Sequence, residues 1–186
     1  MTLTFKPKSA HTCMPSPAAA PPREAPGVHP CRLSVASARG PRDTQAMKEA
    51  TWKALEEQFS RFPVMRGIGG TADAVRAAQD ALGSQFHPDY RDFLYRYGSA
   101  MVGAHAVYGV EQVTTLGSDW SVVALSQRFR KDGWPGVANW YVISSSGDGS
   151  PIGIANDGSV WISDHLTGVV RQLAPSFEDF LASCIE

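Results

Sequence analysis

The stretch Trp140–Glu186, WYVISSSGDGSPIGIANDGSVWISDHLTGVVRQLAPSFEDFLASCIE, decides the fold. It reads as strand, turn, strand, Asp157-Gly158 turn, strand, Thr167-Gly168 turn, strand and capped helix. Ile152 and Ile154 alternate with Gly153 and Ala155, and Val160 and Ile162 with Ser159, Trp161 and Ser163; Val169, Arg171 and Leu173 continue the pattern. A period of two with tight Gly-containing turns predicts an antiparallel meander, one face packed and the other wetter. Ser176 and Asp179 make a capping box, and Phe177, Phe180, Leu181 and Cys184 give the helix behind it an apolar face to lay on that sheet.

Upstream of the meander the period changes to helical. Trp52, Leu55, Phe59 and Phe62 recur at helix spacing from Ala46 onward, and Pro63 stops the run. Gly67-Ile68-Gly69-Gly70-Thr71-Ala72 has the GxGxxA form of a dinucleotide fingerprint. That fingerprint needs a strand to deliver its glycines, and here a helix and a proline precede it. The better reading is a flexible turn with Thr71 as N-cap of a second helix, striped by Val75, Ala78 and Leu82 and ended by Gly83. A third helix opens at Pro88, carries Asp89 at its electropositive end, and closes at Gly98. Tyr90, Phe93, Leu94 and Tyr97 fall on one face of it, as core packing requires.

Between these helices and the meander, His105–Thr115 reads as an edge pair of strands turning near Gly109. Ser118 reads as the cap of a helix bearing Val122, Leu125 and Phe129. Trp134-Pro135-Gly136 is a loop whose indole either packs beneath it or is presented to a partner.

The first forty-five residues differ from the rest. Pro7, Pro15, Pro17, Pro21, Pro22, Pro26, Pro30 and Pro41 are scattered among Ala, Ser and Arg. Proline removes donors and disfavours helix before it, so residues 1–45 are expected to form a disordered tail, with the folded domain spanning 46–186. The Arg-rich, acid-poor bias has something of a transit peptide, but the prolines oppose an amphipathic helix. A simpler reading takes Met47, where helical pattern begins, as a natural start. The tail holds six Lys/Arg against Glu24 and Asp43, leaving eleven basic and sixteen acidic residues in the body. An acidic body does not suit phosphate backbones but does suit a basic protein partner. No run approaches the ~20 apolar residues that cross a bilayer. Cys13, Cys31 and Cys184 lack the spacing of a disulfide framework or zinc site, so a reducing cytoplasm is expected.

Ser144-Ser145-Ser146-Gly147-Asp148-Gly149-Ser150 invites a serine nucleophile or a phosphate nest, with His87, His105 or His165 as distant bases. It has no GxSxG elbow, and an Asp-containing Gly/Ser loop between strands is most often a turn. No calcium loop, HExxH helix or Walker loop occurs. No catalytic residue, metal or cofactor is expected.

With these residues in view, the chain resembles the Smi–Knr type domain of the SUKH superfamily over roughly Trp52–Glu186. The family shows a Leu-Pro-x-Asp-Tyr-x-x-Phe-Leu helix; this chain has Phe86-His87-Pro88-Asp89-Tyr90-Arg91-Asp92-Phe93-Leu94, then Tyr97-Gly98-Ser99. The later family turns and closing helix are similar to Gly147-Asp148-Gly149, Asn156-Asp157-Gly158 and Phe177-Glu178-Asp179-Phe180-Leu181. His87 replaces the usual Pro, and Ser99 stands where Asn-Gly-Gly is common. The resemblance implies an α+β fold, N-terminal helices packed on a twisted antiparallel sheet with a closing C-terminal helix. It also implies a non-enzymatic, cytoplasmic immunity protein that binds a cognate polymorphic or contact-delivered toxin, a nuclease or deaminase among the candidates. Neither nucleic acid nor membrane is an expected partner. The rival readings are a regulatory scaffold without a toxin and a small hydrolase built on Ser144–Ser150. Exposed turn and loop residues Trp134, Asp148, Asp157 and Asp164 are the expected partner contacts.

Overall fold

A computed structural model describes residues 47–111 and 120–185. The chain enters at buried Met47 and forms α1 (Glu49–Arg61). Leu55 and Phe59 are buried, but Phe62, expected on the same stripe, is the C-cap and 46% exposed. Pro63 turns the chain through a short 3-10 segment, Pro63–Met65, so Phe62 leaves the helix before it can follow its stripe inward.

Residues 67–70 are a closely packed connection. Gly70 N donates to Leu94 O at 2.9 Å, and the glycines lie against the end of the third helix. A Cβ on Gly67 would sit 1.6 Å from Ser99 O, and one on Gly69 2.1 Å from Tyr95 O. The glycines serve close backbone approach, not a nucleotide. Thr71 then caps α2 (Ala72–Leu82), its side chain accepting from Ala74 N at 3.2 Å. Val75, Ala78 and Leu82 are buried, and Gly83 ends the helix. In α3 (Pro88–Tyr97) all four residues of the predicted face, Tyr90, Phe93, Leu94 and Tyr97, are fully buried. Each contributes about 1.5–3 kcal/mol of apolar burial.

The small strand pair is β1 (Ala100–Val102) and β2 (His105–Val107), turning at Gly103. It therefore begins before the predicted His105 and turns six residues ahead of Gly109. Gly109 instead donates its N–H to Ser99 Oγ at 2.9 Å. Thr115 and Ser118 lie outside the described residues. The following helix, α4 (Val122–Lys131), is capped by Ser121, whose side chain accepts from Ala124 N.

A second 3-10 segment, Val137–Asn139, leads into β3 (Trp140–Ser145), β4 (Pro151–Ala155), β5 (Val160–Ser163) and β6 (Val170–Ala174). They form one antiparallel meander in the order β3-β4-β5-β6, and α5 (Phe177–Ile185) closes the chain behind the Ser176–Asp179 cap, where Asp179 N donates to Ser176 Oγ at 3.0 Å. The fold is α+β, as expected.

One expectation about the sheet fails. Its first three strands are covered on both faces. Tyr141, Ile152, Ile154, Val160 and Ile162 join α1, α2, α3 and α5 in the larger core. On the opposite face Trp140 and Val142 pack with Leu125, Phe129 and Val137 beneath α4. Ser126 of α4 accepts the Val142 N–H at 2.7 Å, where the β3–β4 register shifts. Only β6 is open to solvent, Arg171 on one face and Gln172 on the other. The unbroken apolar run Trp140–Ile143 is the sequence signature of a strand buried on both faces.

Candidate partner-binding surface

In a four-stranded meander the first and third turns share one end and the second lies at the other. At the shared end, the β3–β4 turn is organised by Asp148. Its Oδ1 accepts from the Ser146 hydroxyl and from Ser150 N at 3.1 Å. The Ser146 hydroxyl, then the Ser150 N–H, hold the exposed carboxyl down at about 2. The β5–β6 turn is organised the same way by Asp164, whose Oδ1 accepts from Leu166 N and Thr167 N, both at 2.9 Å. The Thr167 N–H is the main cause that keeps this carboxyl below its usual range. The turns are joined: His165 N donates to Ser150 Oγ at 3.1 Å, and His165 Nδ1 lies 3.5 Å from Asp148 Oδ2. Leu166 and Val169 project from this end, 78% and 55% exposed.

A serine, a histidine and an aspartate thus meet, but not as a triad. Ser150 Oγ and Asp148 Oδ2 both approach the same nitrogen, His165 Nδ1, at 3.2 and 3.5 Å. A relay needs the serine on one ring nitrogen and the carboxylate on the other. Ser150 is also fully buried and occupied as an acceptor, and Ser144 is fully buried too. The contact is a clasp between turns. Among the described residues no three His, Cys, Asp or Glu side chains gather as metal ligands would.

Asp157 sits at the other end, so the three aspartates do not form one surface. Its Oδ1 accepts from Ser159 N at 3.0 Å and from the Ser159 hydroxyl, which in turn accepts from Trp161 Nε1 at 2.7 Å. The adjacent Gly158 lies against the His87 imidazole. His87 Nδ1 is 2.7 Å from Oδ1 of buried Asp89, which also accepts from Tyr90 N at 2.8 Å. Asp89 Oδ2 accepts from Glu178 N at 3.2 Å, so one carboxylate ties α3 to the start of α5. The hydrogen bond to Asp89 raises the His87 pKa, with Asp157 adding to it against burial.

Trp134 is half-buried and packs edge-on against Phe129 at 5.1 Å, in the cluster beneath α4. It packs against the core cluster of that face, with Val137, Trp140 and Val142. Of the four expected contacts, then, only Asp148 and Asp164 are brought together.

A protein-family model, SUKH_5, described as SMI1-KNR4 cell-wall, matches residues 54–186, well over half of the chain. The chain belongs to this SUKH family. No curated protein matches it. The residues that carried the resemblance have physical roles in the SUKH domain: Asp89 joins two helices, and Asp148 and Asp157 organise turns. No helix among the described residues is long and apolar enough to cross a membrane.

The SUKH domain also has a shallow groove of about 350 Å³ that the sequence did not announce. It runs between α1 and α5 and is lined by Gln58, Arg61, Phe62, Met65 and Ile185 among others. Near its Met65 in sequence, Val64 and Ile68 are 94% and 93% exposed. The signal available was the break at Pro63, which strands apolar residues outside the helical stripe.

Proposed function

We propose that this SUKH domain is a non-enzymatic immunity protein that acts in the cytoplasm by docking on a cognate toxin domain. The clasped turn end of the sheet is its principal contact. The observation that carries this reading is the pairing of two ionised, turn-fixed carboxylates, Asp148 and Asp164, with exposed Leu166 and Val169. Apolar anchors beside fixed charge form the usual chemistry of a binding hot spot, and turns locked by their own hydrogen bonds lose little entropy on binding. An acidic patch speeds encounter with a basic toxin surface and fixes its register. Asp157 and Trp134 are secondary contacts in this reading.

The test is co-expression with toxin domains encoded beside the gene, followed by affinity measurement on the protective pair. Asp148→Lys with Asp164→Lys is expected to weaken binding by about a hundredfold and abolish protection, since close charge pairs are coupled by about 1.5–7 kcal/mol. Asp157→Lys is expected to weaken it far less. Equal losses from both variants would move the contact away from the clasped turns.

A further inference from the structure

β6 is the outermost strand of the meander and, among the described residues, is hydrogen-bonded to β5 alone. Asp164 N donates to Val169 O at 3.0 Å, and below that pair the register runs Ser163↔Val170, Ile162↔Arg171 and Trp161↔Gln172. Antiparallel ladders alternate between bonded and unbonded pairs. Arg171 therefore turns its backbone groups inward to β5, and Val170 and Gln172 turn theirs outward. Among the described residues no other element pairs with that edge. Natural sheets usually blunt such an edge with proline, charge, a bulge, a very short strand or a covering element; β6 carries Arg171 and a register shift against β5 beyond the Trp161–Gln172 pair, which leaves Val170–Gln172 as its regular stretch. Here five residues run without Pro or Gly, continuing from exposed Val169. The side chain at the middle of the edge is also unusual. Arg171 is the one Lys or Arg in the sequence after Lys131, in a segment that otherwise holds Asp132, Asp148, Asp157, Asp164, Glu178, Asp179 and Glu186.

From this edge we infer that β6 captures an extended segment of a protein partner as a fifth strand, selecting a carboxylate opposite Arg171. Backbone hydrogen bonds from Val170 and Gln172 would supply affinity without sequence preference, and side chains on alternate positions would supply the choice. A cross-strand Arg–carboxylate pair is favourable, whereas a like charge opposite Arg171 is not. The same guanidinium opposes a second copy in the register that sets Arg171 against Arg171, which favours a foreign strand over self-pairing. The inference shares with the proposed function only the premise that this protein works by binding; it adds the mode and the chemistry of the captured segment.

The probe is a displayed library of random twelve-residue peptides selected against the full-length protein, with binders measured one by one. Peptides rich in Asp or Glu within an alternating β-prone pattern are expected. Gln172→Pro removes an outward N–H while leaving the inward ladder to β5 whole, so the fold, checked by circular dichroism and thermal melting, is expected to survive. It should weaken the selected peptides at least tenfold. Arg171→Glu, a surface change that does not touch the ladder, should shift the enriched charge from acidic to basic. Several outcomes overturn the inference: no enriched peptides, binding indifferent to both variants, a charge preference that Arg171→Glu leaves in place, or dimerisation through β6 abolished by Gln172→Pro. Because no toxin enters this experiment, its failure leaves the clasped-turn contact standing, and loss of that contact leaves the edge untouched.

Discussion

At one end of the sheet Asp148 and Asp164 direct their carboxylates to turn groups a few residues away; at the other, Asp89 directs its own to a neighbouring imidazole, its own helix and α5. The first arrangement is made within turns, apart from the His165 contact of Asp148, so Asp148 stays exposed and Asp164 half-exposed to a partner. The second is tertiary, joining residues 89 positions apart in sequence behind a surface that is nearly closed. Carboxylates of similar chemistry thus serve recognition at one end and cohesion at the other. What separates them is whether their donors lie within the same turn.

Loss of the cohesive carboxylate is expected to have the largest effect. Asp89→Ala orphans the Tyr90 and Glu178 N–H groups and leaves His87 without its partner. Breaking a buried pair from one side costs about 3–5 kcal/mol. Urea unfolding should show a loss of about 3 kcal/mol or more, a large share of the ~5–15 kcal/mol that holds a domain of this kind. A loss under 1 kcal/mol would mean that α3 and α5 are joined by apolar packing alone.

Gly158 is the next point of attack. Its φ of 85° is strained for any L side chain, and a Cβ there would come within 2.5 Å of His87 Nε2. Gly158→Ala is expected to cost about 2 kcal/mol by chemical denaturation. In a His87→Ala background the clash is gone and only the backbone strain is left, so the same change should cost about 1 kcal/mol less. Additive losses would mean that the imidazole moves aside freely.

These particulars show how much of the molecule its sequence disclosed. The four strands of the meander were legible because Asp157-Gly158 and Thr167-Gly168 mark their turns chemically. The α3 face was legible because four large apolar residues cannot share a helix face without being buried. The β1–β2 pair was misplaced because two three-residue strands offer too little alternation to fix a turn. The capping of α4 was displaced by three residues because Ser118 and Ser121 are equivalent as N-caps until tertiary contacts choose. The separation of Asp157 from Asp148 and Asp164 was within reach, since successive turns of a meander alternate ends. The clasp between Ser150 and His165 was not, because it depends on the lateral approach of turns fifteen residues apart.

The smallest effect is the pH dependence, and it distinguishes the two ends by sign. His87 has its pKa raised by Asp89, so its contribution is fully present below the unfolded value of about 6.5 and fades as pH rises through the folded one. Asp148 is held at about 2, below the unfolded value of about 3.9, so its contribution is present above that value and fades as pH falls toward 2. Thermal melts across pH should therefore decline on both flanks, gently toward pH 8 through His87 and toward pH 2 in part through Asp148. His87→Gln should flatten the alkaline flank alone; Asp148→Asn should soften the acid flank alone. The second change should be slight, because an exposed turn carboxylate is screened by solvent. If Asp148→Asn altered the alkaline flank even after His165, which lies 3.5 Å from that carboxylate, had been replaced by Gln, the two ends would be coupled through the sheet, and a partner seated on the clasped turns would be felt at His87.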